Sequence, residues 1–313
     1  MPDPHELWRL APAATTPPDG DTDDARVAQA LLWLRQGDTR RALRACAQLL
    51  DDSPGHLGAL LVRGEAEARV GDRVGAQSAF RRWVKREPEL ALGEHLLRSV
   101  GGRGFDAPLR GEVQELFDRY AASFDAHLTG ELGYRGHELL PAAVAALSGG
   151  SRCGVAVDLG CGTGLCGPEL RGLAETLVGV DLSPAILEKA RERGVYDVLF
   201  VADLVLALAT SATRSADLLV AADVLGYLGP LEAVSQEARR VLRPGGRFAF
   251  TVEAWEGSEA MALGPQRRFA FAEGYLSGLA AAGGWAVERF EAAALRSEAG
   301  SPVPGWLVVW RAA

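Results

Sequence analysis

An acid followed by alternating glycines is the run in this chain best suited to holding a small charged ligand. VAVDLGCGTGLCGPELR carries Asp158 and then Gly160, Gly162 and Gly164. Glycines in such a turn admit positive φ and let a ligand approach the backbone beside the N–H groups that open a helix. A second acid, Asp181 in VGVDLS, lies 21 residues beyond Gly160 and can accept both hydroxyls of a ribose. A third, Asp203, closes VLFVAD, where an adenine amino group would need an acceptor. To this point any nucleoside-containing cofactor fits.

The spacing narrows the choice. A dinucleotide turn reads G-x-G-x-x-G and cradles a pyrophosphate on the helix dipole. Here the glycines alternate, and Asp158 stands where its carboxylate would repel a pyrophosphate. The same carboxylate can recruit the α-amino end of an amino-acid cofactor. Asp158, Asp181 and Asp203 at successive strand ends therefore suit S-adenosylmethionine, with an NAD-dependent oxidoreductase as the disfavoured alternative.

The elements that must position these acids are legible as apolar runs of strand length. VAVDLG, TLVGVD, DVLFVAD, ADLLVAAD and RFAFTVE alternate with helical stretches such as SPAILEKARERG and LEAVSQEARRVL. That pattern predicts an α/β, Rossmann-like doubly wound sheet with its ligands at the carboxyl ends of the strands. WAVERFEAAAL and GWLVVWRA add a terminal antiparallel pair, for seven strands in all. Before the sheet, Leu116, Phe117, Tyr120, Phe124 and Leu128 follow helical spacing. Their aromatic stripe fits core packing and a lid equally well.

The first third of the chain has a different grammar. Gly37, Ala42, Cys46, Leu50 and Pro54 return as Gly71, Ala76, Phe80, Val84 and Pro88, each 34 residues later. A period of 34 resembles the tetratricopeptide repeat: helix, tight glycine turn, second helix, with a small residue at the close approach. Two repeats fall short of the three usually needed, so a capping helix is expected over about residues 89–100. The expected organisation is a flexible leader over 1–24, tetratricopeptide-like repeats over 25–100, a GGRG break at 101–104, and a catalytic domain over 105–313 whose residues 105–147 form lid helices.

Composition closes off other classes. The 313 residues carry a net charge of −8, with 48% hydrophobic and 24% charged residues, as in a globular protein. That charge argues against nucleic-acid or anionic-membrane binding. Cys46, Cys153, Cys161 and Cys166 form no CxxC and no cluster with zinc spacing, so neither metal nor disulfide framework is expected. Cys161 and Cys166 read as small apolar fillers. The opening MPDPHELWRLAPAATTPPDG lacks the form of a signal peptide, no run of 18 apolar residues occurs, and a cytoplasmic location is expected.

The stretch 150–253, including ARRVLRPGGRFAFTVE, resembles a class I S-adenosylmethionine-dependent methyltransferase. The whole chain is similar to methyltransferases that carry N-terminal tetratricopeptide repeats, in LFDRYAASFDAHLTGELGYR, AADVLGYLGPLE and LRSEAGSPVPGWLVV. The resemblance implies that Asp158, Gly160, Cys161 and Gly162 hold the methionine moiety, Asp181 the ribose, and Leu182 one face of the adenine. Asp203 and Leu204 would meet the adenine edge. Tyr120 resembles a lid tyrosine reaching the cofactor carboxylate, with Arg135 a weaker candidate for the same group.

On the acceptor side, Asp223 and Tyr227 in AADVLGYLG follow the fourth strand. Asp223 suits a base or an amine-orienting group, and Tyr227 a wall or hydroxyl contact; His127 and His137 are alternative bases. The bland readings are a helix-terminal acid, a packed aromatic and solvated strand-end acids. The expected activity is methyl transfer to a small-molecule or protein acceptor, with the repeats assisting recognition of that acceptor or of a peptide or protein partner. The alternative within this fold is a non-catalytic scaffold that binds S-adenosylmethionine without turnover.

Overall fold

The computed structural model describes residues 22–101, 108–298 and 300–313. The expected leader, apart from residues 22–24, and most of the GGRG junction lie outside the described residues. The chain divides into two compact units, the division falling after Arg110.

In the first unit, helices α1 (Asp23–Arg35) and α2 (Thr39–Asp52) form one pair, α3 (Leu57–Arg69) and α4 (Arg73–Arg86) another, and α5 (Ala91–Ser99) follows. Gly37 and Gly71 turn the two pairs at φ of 83° and 81°, a conformation that favours glycine. Asp38 and Asp72, the residues after those glycines, each cap the helix that follows, their carboxylates accepting from Arg41 N and Gly75 N. The 34-residue spacing thus extends to the caps. Ala42 and Ala76 are fully buried, as are Cys46 and Phe80 to within 1%. The Phe80 ring lies against Gly64, where a Cβ would stand 2.4 Å from it, so α3 and α4 touch where the side chain is missing. Buried Glu65 is held by Arg69 and Arg110.

The second unit opens with the end of α6 (Arg110–Tyr120), a π-helical turn at Ala126–Glu131 and α7 (Gly136–Ser148). Then strands β1 (Cys153–Leu159), β2 (Ala174–Asp181), β3 (Val198–Val201), β4 (Ala216–Ala221) and β5 (Leu242–Ala254) form a parallel sheet in the order β3-β2-β1-β4-β5. Helices α8 (Gly167–Leu173), α9 (Pro184–Glu192), α10 (Leu204–Ala209) and α11 (Glu232–Val241) connect them. Val155, Ala156 and Val157 are buried in succession because β1 is covered on both faces. Ala249 faces a core with Leu140, Leu218, Val220 and Val309. Its neighbours Phe248 and Phe250 point the other way, against Trp310.

The sheet has nine strands among the described residues, which corrects the expected seven. The terminal pair, β8 (Trp285–Glu298) and β9 (Ser301–Ala312), is there, β9 lying antiparallel to β5. The additions are β6 (Met261–Leu263) and β7 (Phe269–Phe271), a hairpin of three-residue strands that precedes α12 (Glu273–Ala282). Runs this short carry no usable alternation, and what makes them strands is distant in sequence. β5 outruns β4, and β7 pairs with the overhanging Glu253 and Ala254. Glu253 also pairs with Gly305 of β9 on its other edge, so the hairpin occupies the edge that β4 leaves open. No helix among the described residues is long and apolar enough to cross a membrane.

Candidate active site

The turn after β1 is built from glycines in the left-handed region. Gly160, Gly162 and Gly164 have φ of 68°, 56° and 84°. The N–H groups of Gly160 and Cys161 both donate to Val180 O, at 2.7 and 3.0 Å, folding the turn onto β2. Gly162 N then donates to Asp181 Oδ2 at 2.9 Å, while Ser183 N donates to Oδ1 at 2.9 Å. One carboxylate therefore ties the glycine turn to the start of α9. Burial pushes Asp181 above the usual carboxylate range, and these backbone donors pull it part of the way back.

Asp158 lies below the same turn, 1% exposed. Its Oδ2 accepts from the Tyr196 hydroxyl at 2.7 Å. Burial raises its pKa to about 7, against the opposing Tyr196 hydrogen bond and with help from the nearby charge of Asp181. Cys161 and Cys166 are buried, and burial holds both thiols far from ionisation. Asp203 caps α10, its Oδ1 accepting from Val205 N and Leu206 N, both at 3.0 Å; Leu204 beside it is buried and Leu182 half-buried.

A rim segment is fastened to this end of the site by polar contacts. The Ser183 hydroxyl donates to Asp118, and Asp125 accepts from the Thr163 hydroxyl and pairs with Arg193. Phe124 comes within 3.7 Å of where a Gly162 Cβ would be. Tyr120 is 48% exposed and stacks on His127, so the stripe is not core at that position. Arg135 is exposed and pairs with Glu138 at 3.7 Å. His137 stacks on Tyr134.

The other half of the site lies past β4. Asp223 is one of the few described non-glycine residues with positive φ, at 57°, and its N–H donates to Thr251 Oγ1 at 2.9 Å. Its carboxylate is not open to a ligand alone. Arg268, brought by the β6–β7 hairpin, donates to Oδ1, and Arg296 of β8 stands 3.5 Å from the same oxygen. Arg268 also covers the Tyr227 ring at 5.0 Å from its centroid, with its Nη1 3.4 Å from the Tyr227 hydroxyl. Glu253 pairs with both arginines, at 2.8 and 2.7 Å. Burial disfavours charge on Arg268, yet Asp223, Tyr227 and Glu253 outweigh it and raise its pKa. Phe117 meets the Tyr227 ring edge-on at 5.5 Å, linking the rim segment to this half. Buried Tyr134 is pushed up by burial and, less so, by the charges of Asp223 and Asp158.

Sequence reasoning found the acids and glycines and missed Arg268, Arg296, Glu253 and Tyr196. Arg268 lies in the short hairpin that local sequence does not reveal, whereas Glu253 and Arg296 lie on expected strands and meet it only once the sheet has formed. Tyr196 carried one signal, an aromatic immediately before the third apolar run.

The donor set fits an amino-acid nucleoside. Buried Asp158 and half-buried Asp181 flank a glycine turn, and a Cβ at Gly162 would occupy the gap between that turn and Phe124. Residues 157–250 match the family model described as a methyltransferase domain. The chain carries a methyltransferase domain. Its sequence is 31% identical over 163 residues to a malonyl-[acyl-carrier protein] O-methyltransferase from Yersinia pestis, covering 50% of this chain and 57% of the relative. A ubiquinone biosynthesis O-methyltransferase from Xanthomonas oryzae pv. oryzae is 29% identical over 115 residues, 34% of this chain and 46% of the relative. The chain thus spans about half the length of these curated relatives. The methyltransferase fold recurs in the 1,6-didemethyltoxoflavin-N1-methyltransferase of Burkholderia thailandensis, with a TM-score of 0.51 and 19% identity over 66% of this chain and 93% of that one.

Proposed function

We propose that this protein transfers a methyl group from S-adenosylmethionine to a small-molecule or protein acceptor presented beside Asp223 and Tyr227. The observation that carries this reading is the pair of carboxylates around the glycine turn, half-buried Asp181 accepting from Gly162 and Ser183 and buried Asp158 beneath them. In it Asp158 meets the cofactor's amino group, and Gly160, Cys161 and Gly162 line the methionine moiety. Asp181 takes the ribose hydroxyls, Leu182 covers an adenine face, and Asp203 with Leu204 borders the adenine edge. Tyr120 and Arg135 serve the cofactor carboxylate from the rim segment.

S-adenosylmethionine supplies a methyl already activated on a sulfonium, so the protein's work is alignment and exclusion of water. Asp223 suits that work as an orienting group. Its engagement by Arg268 and Arg296 fixes its position, and Tyr227, held by Arg268 and Phe117, forms the adjoining wall. The same engagement favours one competing reading, a scaffold that binds the cofactor without turnover. The helical unit belongs to the proposal as a tetratricopeptide-like recognition module, supported by its duplicated glycine turns, aspartate caps and buried alanines at one spacing.

The test treats cell extract with purified protein and methyl-labelled S-adenosylmethionine. A gain of one labelled methyl on a discrete acceptor, lost with Asp181→Ala, is expected. Cofactor binding with no labelled product in any extract fraction would favour the scaffold.

A further inference from the structure

Tyr196 stands outside every role given so far, yet three glycines are shaped around it. A Cβ at Gly164 would lie 2.9 Å from its ring, at Gly167 3.0 Å from ring and hydroxyl, and at Gly179 3.0 Å from the ring. Contacts this tight are rare for real Cβ atoms, so the three glycines line the slot that holds the ring, Gly167 also making room for Val195 and Gly179 for Leu199. Gly164 thereby gains a structural reason that has nothing to do with a ligand. The ring packs between two apolar clusters, one beneath β1 and one with Leu187 and Ala190 of α9.

The backbone at Tyr196 is fixed as well. Asp197 N donates to Leu177 O at 2.9 Å, the Asp197 carboxylate accepts from Leu177 N at 2.7 Å, and Arg171 pairs with it at 2.6 Å. All this delivers one polar atom to one place, the Tyr196 hydroxyl at 2.7 Å from Asp158 Oδ2.

We infer that Tyr196 is the positioning residue of the cofactor end of the site, its hydroxyl orienting the Asp158 carboxylate that receives the cofactor's amino group. This rests on the methyltransferase reading above. The slot makes the hydroxyl immobile, and an immobile donor stabilises the ionised carboxylate that an ammonium group requires. Burial raises the Tyr196 hydroxyl far above its ordinary range, so it stays a donor at every working pH. The other titratable groups facing Asp158 are Asp181, the Cys161 and Cys166 thiols, and Tyr134. The three hydroxyl and thiol groups among Cys161, Cys166 and Tyr134 are pushed upward by burial and stay neutral, which leaves Tyr196 as the donor that favours ionisation.

Tyr196→Phe keeps the ring in its slot and removes only that donor. Calorimetry with S-adenosylhomocysteine from pH 5.5 to 8.5 should show wild-type affinity rising through about pH 7. In Tyr196→Phe the rise should move up by about one pH unit, giving a loss of about fivefold near pH 7 that fades at pH 8.5. In an Asp158→Asn background the same substitution should change affinity less than twofold. Thermal melts of the ligand-free protein supply a second readout, because the decline of stability with rising pH should extend to higher pH in Tyr196→Phe and should flatten in Asp158→Asn. A uniform loss at every pH, an unshifted profile, or an equal loss in the Asp158→Asn background would overturn the positioning role. Wild-type protein that binds no S-adenosylhomocysteine at any pH overturns the methyltransferase reading instead, while the melts still decide whether Tyr196 controls Asp158.

Discussion

Asp158 and Asp181 end adjacent strands of one sheet, and their partners set them different tasks. Asp181 accepts two backbone N–H groups, one on each oxygen, and keeps lone pairs for further donors. If these receive two ribose hydroxyls, Asp181→Ala should weaken S-adenosylmethionine by about 2–3 kcal/mol, or about 30- to 150-fold. Calorimetry on a variant with an unchanged melting temperature checks this, and unchanged affinity would remove Asp181 from the ribose. Asp158 has a pKa near 7 where an ordinary aspartate has 3.8. Between those values the folded protein binds more protons than the unfolded chain, so stability declines as pH rises. The contribution is fully present below about pH 4 and lost as pH passes through 7, on the order of a few kcal/mol. Asp158→Asn should flatten denaturant-measured stability across that window; a slope as steep as wild type would assign it to another group. Both acids were legible from their places after apolar runs. What those places could not reveal is the partner, since Tyr196 lies 38 residues from Asp158 and meets it only once the sheet has closed.

The parallel strands and the terminal pair announced themselves because each is an apolar run long enough to be buried on its own account. The β6–β7 hairpin is the opposite case, with three-residue strands whose pairing depends on the overhang of β5. Its contribution to the site is Arg268, held by Asp223 and Glu253 and lying over Tyr227. A local reading of AADVLGYLG therefore sees an acid and an aromatic, and misses the cation that joins them. Because this guanidinium is nearly buried, Arg268→Met leaves Asp223 and Glu253 with one cation, Arg296, in place of two. The substitution should cost about 3–5 kcal/mol. Adding Asp223→Ala to Arg268→Met should return part of it. Urea unfolding of the two variants measures both values. A cost under about 1 kcal/mol would class the contact with ordinary surface pairs. The rim segment 111–131 contrasts with this rigid cluster: α6 buries no residue fully, and solvent-accessible pairs such as Asp125 with Arg193 fasten the segment. Such an element opens at low free energy, as a cover for an exchanging ligand must.

At the scale of the molecule, two units answer to two kinds of sequence signal. A 34-residue spacing wrote the helical unit, down to glycine turns at Gly37 and Gly71 that φ confirms as left-handed. Alternating strands and helices wrote the other, which holds every residue proposed to touch the cofactor. Each has its own buried core: Leu34, Ala42, Cys46 and Ala66 in the first, Ala156, Leu170, Val220 and Val309 in the second. A domain with a complete core folds alone. A fragment from Pro108 to Ala313 should therefore remain folded and bind S-adenosylhomocysteine within about threefold of the full chain, by circular dichroism and calorimetry. Separating the units also assigns the helical one a task. If it selects the acceptor, the fragment should keep cofactor binding and lose labelling of the acceptor found with the full chain. Adding the helical unit back in trans should not restore it, because covalent linkage sets the effective concentration. A fragment that labels the acceptor at the full-chain rate would show that the second unit recognises it unaided, and one that folds but no longer binds cofactor would show that the helical unit supports the site itself.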